Sequence, residues 1–165
     1  MQELTTEQVI AYYKMQPHPE GGYYTESFKS DRQIAIEGFE GKRAYCTAIY
    51  FLLTHETKSH LHRLKSDEIW HFYLSGPIKV VEITPDGKQI ETILGQDILA
   101  GQKLQHSVKA GHWFGSYSLK QTPYSLVGCT VAPGFEFADF EMAKKSDLLL
   151  KYPHLSKTID FLAKD

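Results

Sequence analysis

The amino-acid sequence predicts a mainly β protein, an antiparallel sandwich or barrel, and three observations carry that reading. Eight or more short apolar or alternating runs follow one another, separated by turn signals at intervals of eight to twelve residues. Phe and Tyr make up 19 of the 165 residues, a ring content suited to pleated, half-buried surfaces or to a ring-lined pocket. Helical patterning is confined to the two ends of the chain. With 42% hydrophobic and 23% charged residues, a chain of this length buries a real core and reads as one domain over residues 1–165.

In chain order, residues 5–15 predict a short helix, because Thr5 and Gln8 form a capping box and Val9, Ile10 and Tyr13 share a face. Pro17 and Pro19 are expected to end it, and Pro19-Glu20-Gly21-Gly22 turns the chain into a strand through about Phe28. Residues 29–43 read as a polar loop. Residues 44–54 are almost continuously apolar, as a buried central strand would be.

Strands follow near 58–64, 68–74 and 78–84; Pro85-Asp86-Gly87 makes a hairpin turn into 88–94. Ile98-Leu99 is expected to be short and extended. Further strands are read at 104–108, 112–119 and 124–132, with a turn at Gln121-Thr122-Pro123 before the last. Beyond Pro133-Gly134 the pattern changes. Phe135, Phe137 and Phe140 are placed over one end of the barrel, and 146–152 and 156–163 read as short helices.

The net charge of −2 gives no electrostatic reason to expect a nucleic-acid polymer or an anionic membrane as partner. No apolar run approaches the roughly 18 residues of a membrane span, and the first residues lack a secretory pattern. The two cysteines, Cys46 and Cys129, read as buried thiols in a reducing compartment, so a cytoplasmic protein is expected.

The densest chemistry lies in residues 59–76, which hold His60, His62, His71, Asp67 and Glu68. In a regular strand His60, His62 and Leu64 share a face, and the turn at Lys65-Ser66-Asp67 brings Glu68 back toward them. Two imidazoles and a carboxylate in a sheet suit a metal ion or acid–base work. His60 reads equally well as an ordinary half-buried strand residue, and His62–Glu68 as a structural hydrogen bond. Glu20 by itself only orders its turn, and His18, His55 and His154 are read as solvated.

Several segments carry a family resemblance: Pro17-His18-Pro19-Glu20-Gly21-Gly22-Tyr23-Tyr24, Ala48 to Leu53, His62-Arg63-Leu64 with Ser66 to Tyr73, and Leu126 to Phe135. Together they resemble the uncharacterised cupin family DUF985, or cupin 5. The resemblance implies an RmlC-like double-stranded β-helix, a jelly roll with a short N-terminal helix and short C-terminal helices, and a homodimer.

It leaves two registers open for the histidines. In one, His60 and His62 pair with Glu68 around a divalent metal ion. In the other, which is favoured, His62 takes the first ligand position, Leu64 replaces the second histidine and Phe114 the last. No cofactor is then required. That second register leaves a metal-free pocket for a small molecule, and the resemblance to RmlC-like epimerases implies a ligand of carbohydrate or nucleotide type. His62 would be the base, Glu68 would orient it, and His71 would be a further catalytic group. Gln105, Tyr50, Trp70, Phe114 and Tyr117 would bind substrate, with Glu20 reaching the pocket or the dimer edge. An epimerase or isomerase is the enzymatic expectation; a non-catalytic binding or dimeric assembly module is the alternative.

Overall fold

Alternating apolar residues and closely spaced turns give two antiparallel sheets packed face to face. The computed structural model describes residues 4–119 and 122–165; part of the turn expected at Gln121-Thr122-Pro123 lies outside the described residues. Helix α1 is Thr6–Tyr13, and Thr5 and Gln8 form the expected capping box. It stops because Lys14 turns left-handed at φ 51°, before the prolines are reached. Pro17 lies instead in the edge strand β1 (Gln16–Pro17), where its missing N–H breaks no ladder.

Strand β2 (Tyr23–Lys29) follows, then a hairpin of β3 (Gln33–Ala35) and β4 (Lys42–Ala44) inside the stretch expected as loop. The chain continues through β5 (Thr47–Leu53), β6 (Lys58–Leu64), β7 (Asp67–Ser75), β8 (Ile78–Ile83) and β9 (Gln89–Leu94). Ile98–Ala100 is a turn of 3-10 helix rather than extended, because the Asp97 carboxylate accepts the Ala100 N–H. The last strands are β10 (Gln105–Val108), β11 (Trp113–Ser118), β12 (Ser125–Ala132) and β13 (Phe140–Met142). Helices α2 (Lys145–Lys151) and α3 (Ser156–Leu162) end the fold.

One sheet runs β1-β2-β5-β12-β7-β10 and the other β13-β6-β11-β8-β9. This is a mainly β, cupin-like jelly roll with small helices at both ends. The apolar stretch at β5 is central because β2 and β12 pair with its two edges. Phe51, Trp70, Phe72, Ile78, Val80, Phe114 and Val127 fill the space between the sheets. On β8, Val81 and Ile83 face outward and are covered by Leu148, Ile159 and Leu162 of the C-terminal helices. Each such aliphatic side chain contributes roughly 1.5–3 kcal/mol by leaving water. A third cluster docks α1 on the other sheet through Val9, Leu52 and Leu126.

Candidate functional site

A cavity of about 300 Å³ opens between the sheets at the end bounded by the β1–β2 turn and the segment after β12. Strand β6 decides what stands on its floor. Phe114 of β11 pairs with His62, but Ser116 pairs with Ser59, so two steps on β11 face three on β6. The extra residue is a β-bulge. It puts Ser59 and His62 on the inner side and turns His60 out, where its Nδ1 donates to the Leu162 carbonyl at 3.1 Å. The His60 carbonyl accepts the Nδ1–H of His62 at 2.7 Å.

That bond leaves His62 Nε2 aimed at Glu20 Oε2, 3.1 Å away. Glu20 also accepts the Ser59 hydroxyl at 2.8 Å and lies 3.4 Å from His18 Nδ1. The turn that delivers Glu20 needs its glycine. Gly21 has φ +111°, and a Cβ there would collide with the Lys58 carbonyl oxygen. The Glu20 carbonyl in turn accepts His60 N–H at 2.7 Å, pinning the turn to the bulge.

Burial is nearly complete for this cluster, and it sets the protonation. Loss of water pushes the Glu20 carboxyl well above its ordinary value, and the nearby Glu68 pushes it further. Burial also lowers His62 to about 3 and His18 to about 4. The neutral forms are favoured: Glu20 as an acid donating to His62 Nε2, with both imidazoles uncharged. On the opposite wall, burial lifts Glu68 of β7 to about 7, while the Cys129 thiol donates to it and pulls the other way. Glu68 is 6% exposed, and its Oε2 has no hydrogen-bond partner.

Rings close the mouth. Phe135, Phe137 and Phe140 line the cavity with Tyr24 and His18, and His18 lies 4.6–6.1 Å from the rings of Tyr24, Phe51, Phe137 and Phe140. The phenylalanine segment is anchored by a buried bidentate pair, Arg43 to Asp139, at 2.6 and 2.9 Å. Lys29 and Glu136 pair at 2.8 Å at the entrance.

Several expected placements are corrected by these positions. His62, Glu68 and Glu20 line one cavity, but Glu20 and not Glu68 touches His62, because Glu68 projects from the facing sheet. His60, His62 and Glu68 do not converge on a common point, because of the bulge. Among the described residues no three His, Cys, Asp or Glu side chains are arranged to hold a metal ion.

His71 shares its face of β7 with exposed Ile69 and Tyr73, opposite to buried Glu68, Trp70 and Phe72. Its Nε2–H donates to Thr130 Oγ1 at 3.1 Å, and its Nδ1 accepts from Gln105 at 2.9 Å, both on the outside of the sheet. Tyr50 is also outside, against Tyr13 and Tyr73, and Tyr117 packs on Phe161 of α3. Trp70 and Phe114 face inward but lie behind the cavity wall, Phe114 backing His62 at 4.1 Å. His18, expected in solvent, is in the wall. The signal that would have placed it is its position beside Pro19-Glu20-Gly21, a turn too constrained to be ornamental.

A family model described as the cupin superfamily (DUF985) matches residues 7–143. The chain belongs to that family. An uncharacterised protein of Saccharomyces cerevisiae is 29% identical to this cupin, over 95% of this chain and 85% of its own. A solved structure of a hypothetical protein from Leishmania major is 35% identical, with a TM-score of 0.93, over 98% of this chain and 100% of that one. A protein from Shewanella oneidensis is 34% identical at a TM-score of 0.90, over 98% and 99% of the two chains. More distant cupin folds include a dTDP sugar isomerase from Desulfovibrio desulfuricans, 16% identical at a TM-score of 0.52, over 73% of this chain and 83% of that one. Oxalate decarboxylase from Bacillus subtilis is 12% identical at 0.55, over 88% and 36%. These last two share the fold alone.

Proposed function

We propose that this cupin binds a small organic molecule in the cavity and relocates a proton on it, an isomerase-like reaction. The observation that carries the reading is the pair of acid–base groups on opposing walls. Glu20, held 3.1 Å from His62 Nε2, is an acid on one side. Glu68 of β7, with a pKa of about 7, lines the same cavity from the sheet facing His62 and is matched to proton exchange near neutrality. One proton leaves the ligand for the Glu68 carboxylate and one returns from the Glu20 carboxyl. Turnover ends with their protonation states exchanged, and exchange with solvent through the mouth restores them. His62 steadies the Glu20 proton, and His18 flanks it.

The test is a screen of small organic ligands by thermal shift, followed by NMR of each hit in D2O with catalytic protein. Solvent deuterium should enter a bound compound at a carbon or nitrogen site, and His62→Gln and Glu20→Gln should stop it. Binding without enhanced exchange would reduce the protein to a binding module.

The dimer that the resemblance implies would use the outer face of the β7 sheet, where Ile69, Tyr73, Leu74 and Leu104 are exposed together. Sedimentation velocity on the wild type and Tyr73→Lys tests it: a monomeric wild type, or an unaffected dimer, sinks that arrangement.

A further inference from the structure

Glu68 Oε2 is one of three buried side-chain polar atoms without a partner among the described residues, and the other two, Trp70 Nε1 and Ser116 Oγ, do not line the cavity. A buried acceptor left unpaired is destabilising, so a ligand that donates a hydrogen bond to it recovers that penalty. Glu20 is already engaged by Ser59, His62 and His18, and Thr47 Oγ1 by the Phe135 N–H. Deep in the cavity, then, one strong acceptor waits and the adjoining walls are rings and aliphatic groups. A polyol, with a hydroxyl on nearly every carbon, would leave most of its polar groups unmatched there.

Charge points the same way. The acidic groups on the wall are Glu20, Glu26, Glu68 and Glu136, and the sole lysine or arginine among its described residues, Lys29, is committed to Glu136. Both wall histidines are buried and uncharged in the resting cluster. A phosphate or diphosphate entering this space would lose water and find no cation to replace it. A cationic head would meet Glu68 and Glu26, which no lysine or arginine of the wall engages, and the faces of Phe135, Phe137 and Phe140.

Resting on the proton-transfer reading of this cavity, we infer that its ligand is a ring-bearing organic amine or amidine, neutral or cationic. Its N–H is donated to Glu68 Oε2 and its ring is held among the phenylalanines. Anionic phosphorylated compounds are excluded from the interior.

The experiment compares head groups on one ring: benzamidine, benzylamine, benzyl alcohol, benzoate and benzyl phosphate. Binding is read by titration of amide NMR shifts in the full-length protein. Benzamidine or benzylamine should perturb residues around Glu68 and Phe135–Phe140 and bind at least about tenfold more tightly than benzoate or benzyl phosphate. Glu68→Gln, which keeps shape and removes charge, should erase that preference, bringing benzamidine and benzylamine to within about twofold of benzoate and benzyl phosphate. Should Glu68→Gln fail to fold, the wild-type ranking alone decides. Benzoate or benzyl phosphate binding as tightly as the cations would overturn the inference and leave the small-molecule reading standing. If none of the five perturbs the cavity, both fall together.

Discussion

Two glutamates in this fold each stand between two histidines, and their protonation runs in opposite directions. Glu20, on the cavity floor, is flanked by His62 at 3.1 Å and His18 at 3.4 Å. Glu82 of β8 binds His106 of β10 at 2.5 Å and His112 at 2.8 Å, one imidazole on each oxygen. For Glu82 burial again pushes upward, but hydrogen bonds from both rings outweigh it and hold the carboxyl below its ordinary value. For Glu20 burial wins outright.

The difference lies in the histidines. The side chains of His106 and His112 are 14% and 17% exposed, and keep contact with water while serving an anion. His62 and His18 are 3% and 6% exposed, and neither can carry charge cheaply. The Glu82 cluster is thus a clasp, tying β10 of one sheet to β8 and to the turn that leads into β11 of the other. The Glu20 cluster keeps a mobile proton beside an open cavity. Identical residue types give a structural fastening in one place and a chemical group in the other, and solvent access to the imidazoles separates them.

Gly21→Ala should give the largest break in this comparison. With φ at +111° and the Lys58 carbonyl oxygen occupying the space of the new Cβ, the turn must move. We expect a loss of about 3 kcal/mol or more. Melting should fall by roughly 6–12 °C, and Glu20 should leave His62 while the Glu82 clasp persists. NMR of the imidazole nitrogens would show His62 disturbed and His106 unchanged; the reverse would refute the assignment.

Glu82→Gln should come next, destabilising by about 2–4 kcal/mol at pH 8 through loss of the charged partner of two rings. A carboxyl with a lowered folded pKa contributes stability above its unfolded value, 4.5, and loses it as pH falls through the folded one. Denaturation of variant and wild type should therefore converge in acid. A gap that stays constant with pH would contradict the clasp.

Glu68→Gln has the opposite sign. Its folded pKa of about 7 lies above 4.5, so its contribution is present in acid and lost as pH rises through about 7. The variant should match wild type near pH 4 and be about 1–3 kcal/mol more stable at pH 8. The histidines supply the acid limb: His62 and His18, lowered to about 3 and 4 from 6.5, withdraw stability as pH falls below 6.5. Urea denaturation at intervals from pH 4 to 9 measures both limbs, and an unchanged alkaline limb in Glu68→Gln would place its titration elsewhere.

The smallest effect should come from Lys29→Met, which removes the half-exposed pair with Glu136 at the cavity mouth. Stability should change by no more than about 0.5 kcal/mol. Entry of anionic ligands should become no easier, since no cation is exposed by the change. A marked gain in benzoate binding would show that Glu136, once freed, does not guard the entrance.

The sequence alone determined the elements that depend on local chemistry. The Thr5–Gln8 box, the Pro85-Asp86-Gly87 turn, the unbroken apolar run of β5 and the three phenylalanines that follow Pro133-Gly134 all act through near neighbours or simple alternation. It also singled out His62, Glu68 and Glu20 as polar groups set among apolar and turn residues. Strand parity was the rule it could not apply safely. A single bulge turns His60 to the outer side of β6 while His62 stays inside, and alternation along β7 from Glu68 sends His71 outward with Gln105. Both depend on pairing with β11 and β12, strands more than fifty residues away in the chain. Tertiary structure likewise decided that Glu20 and not Glu68 meets His62, because only sheet packing brings the β1–β2 turn over β6. Long-range pairing chooses the partners, and burial then sets the charge each one can bear.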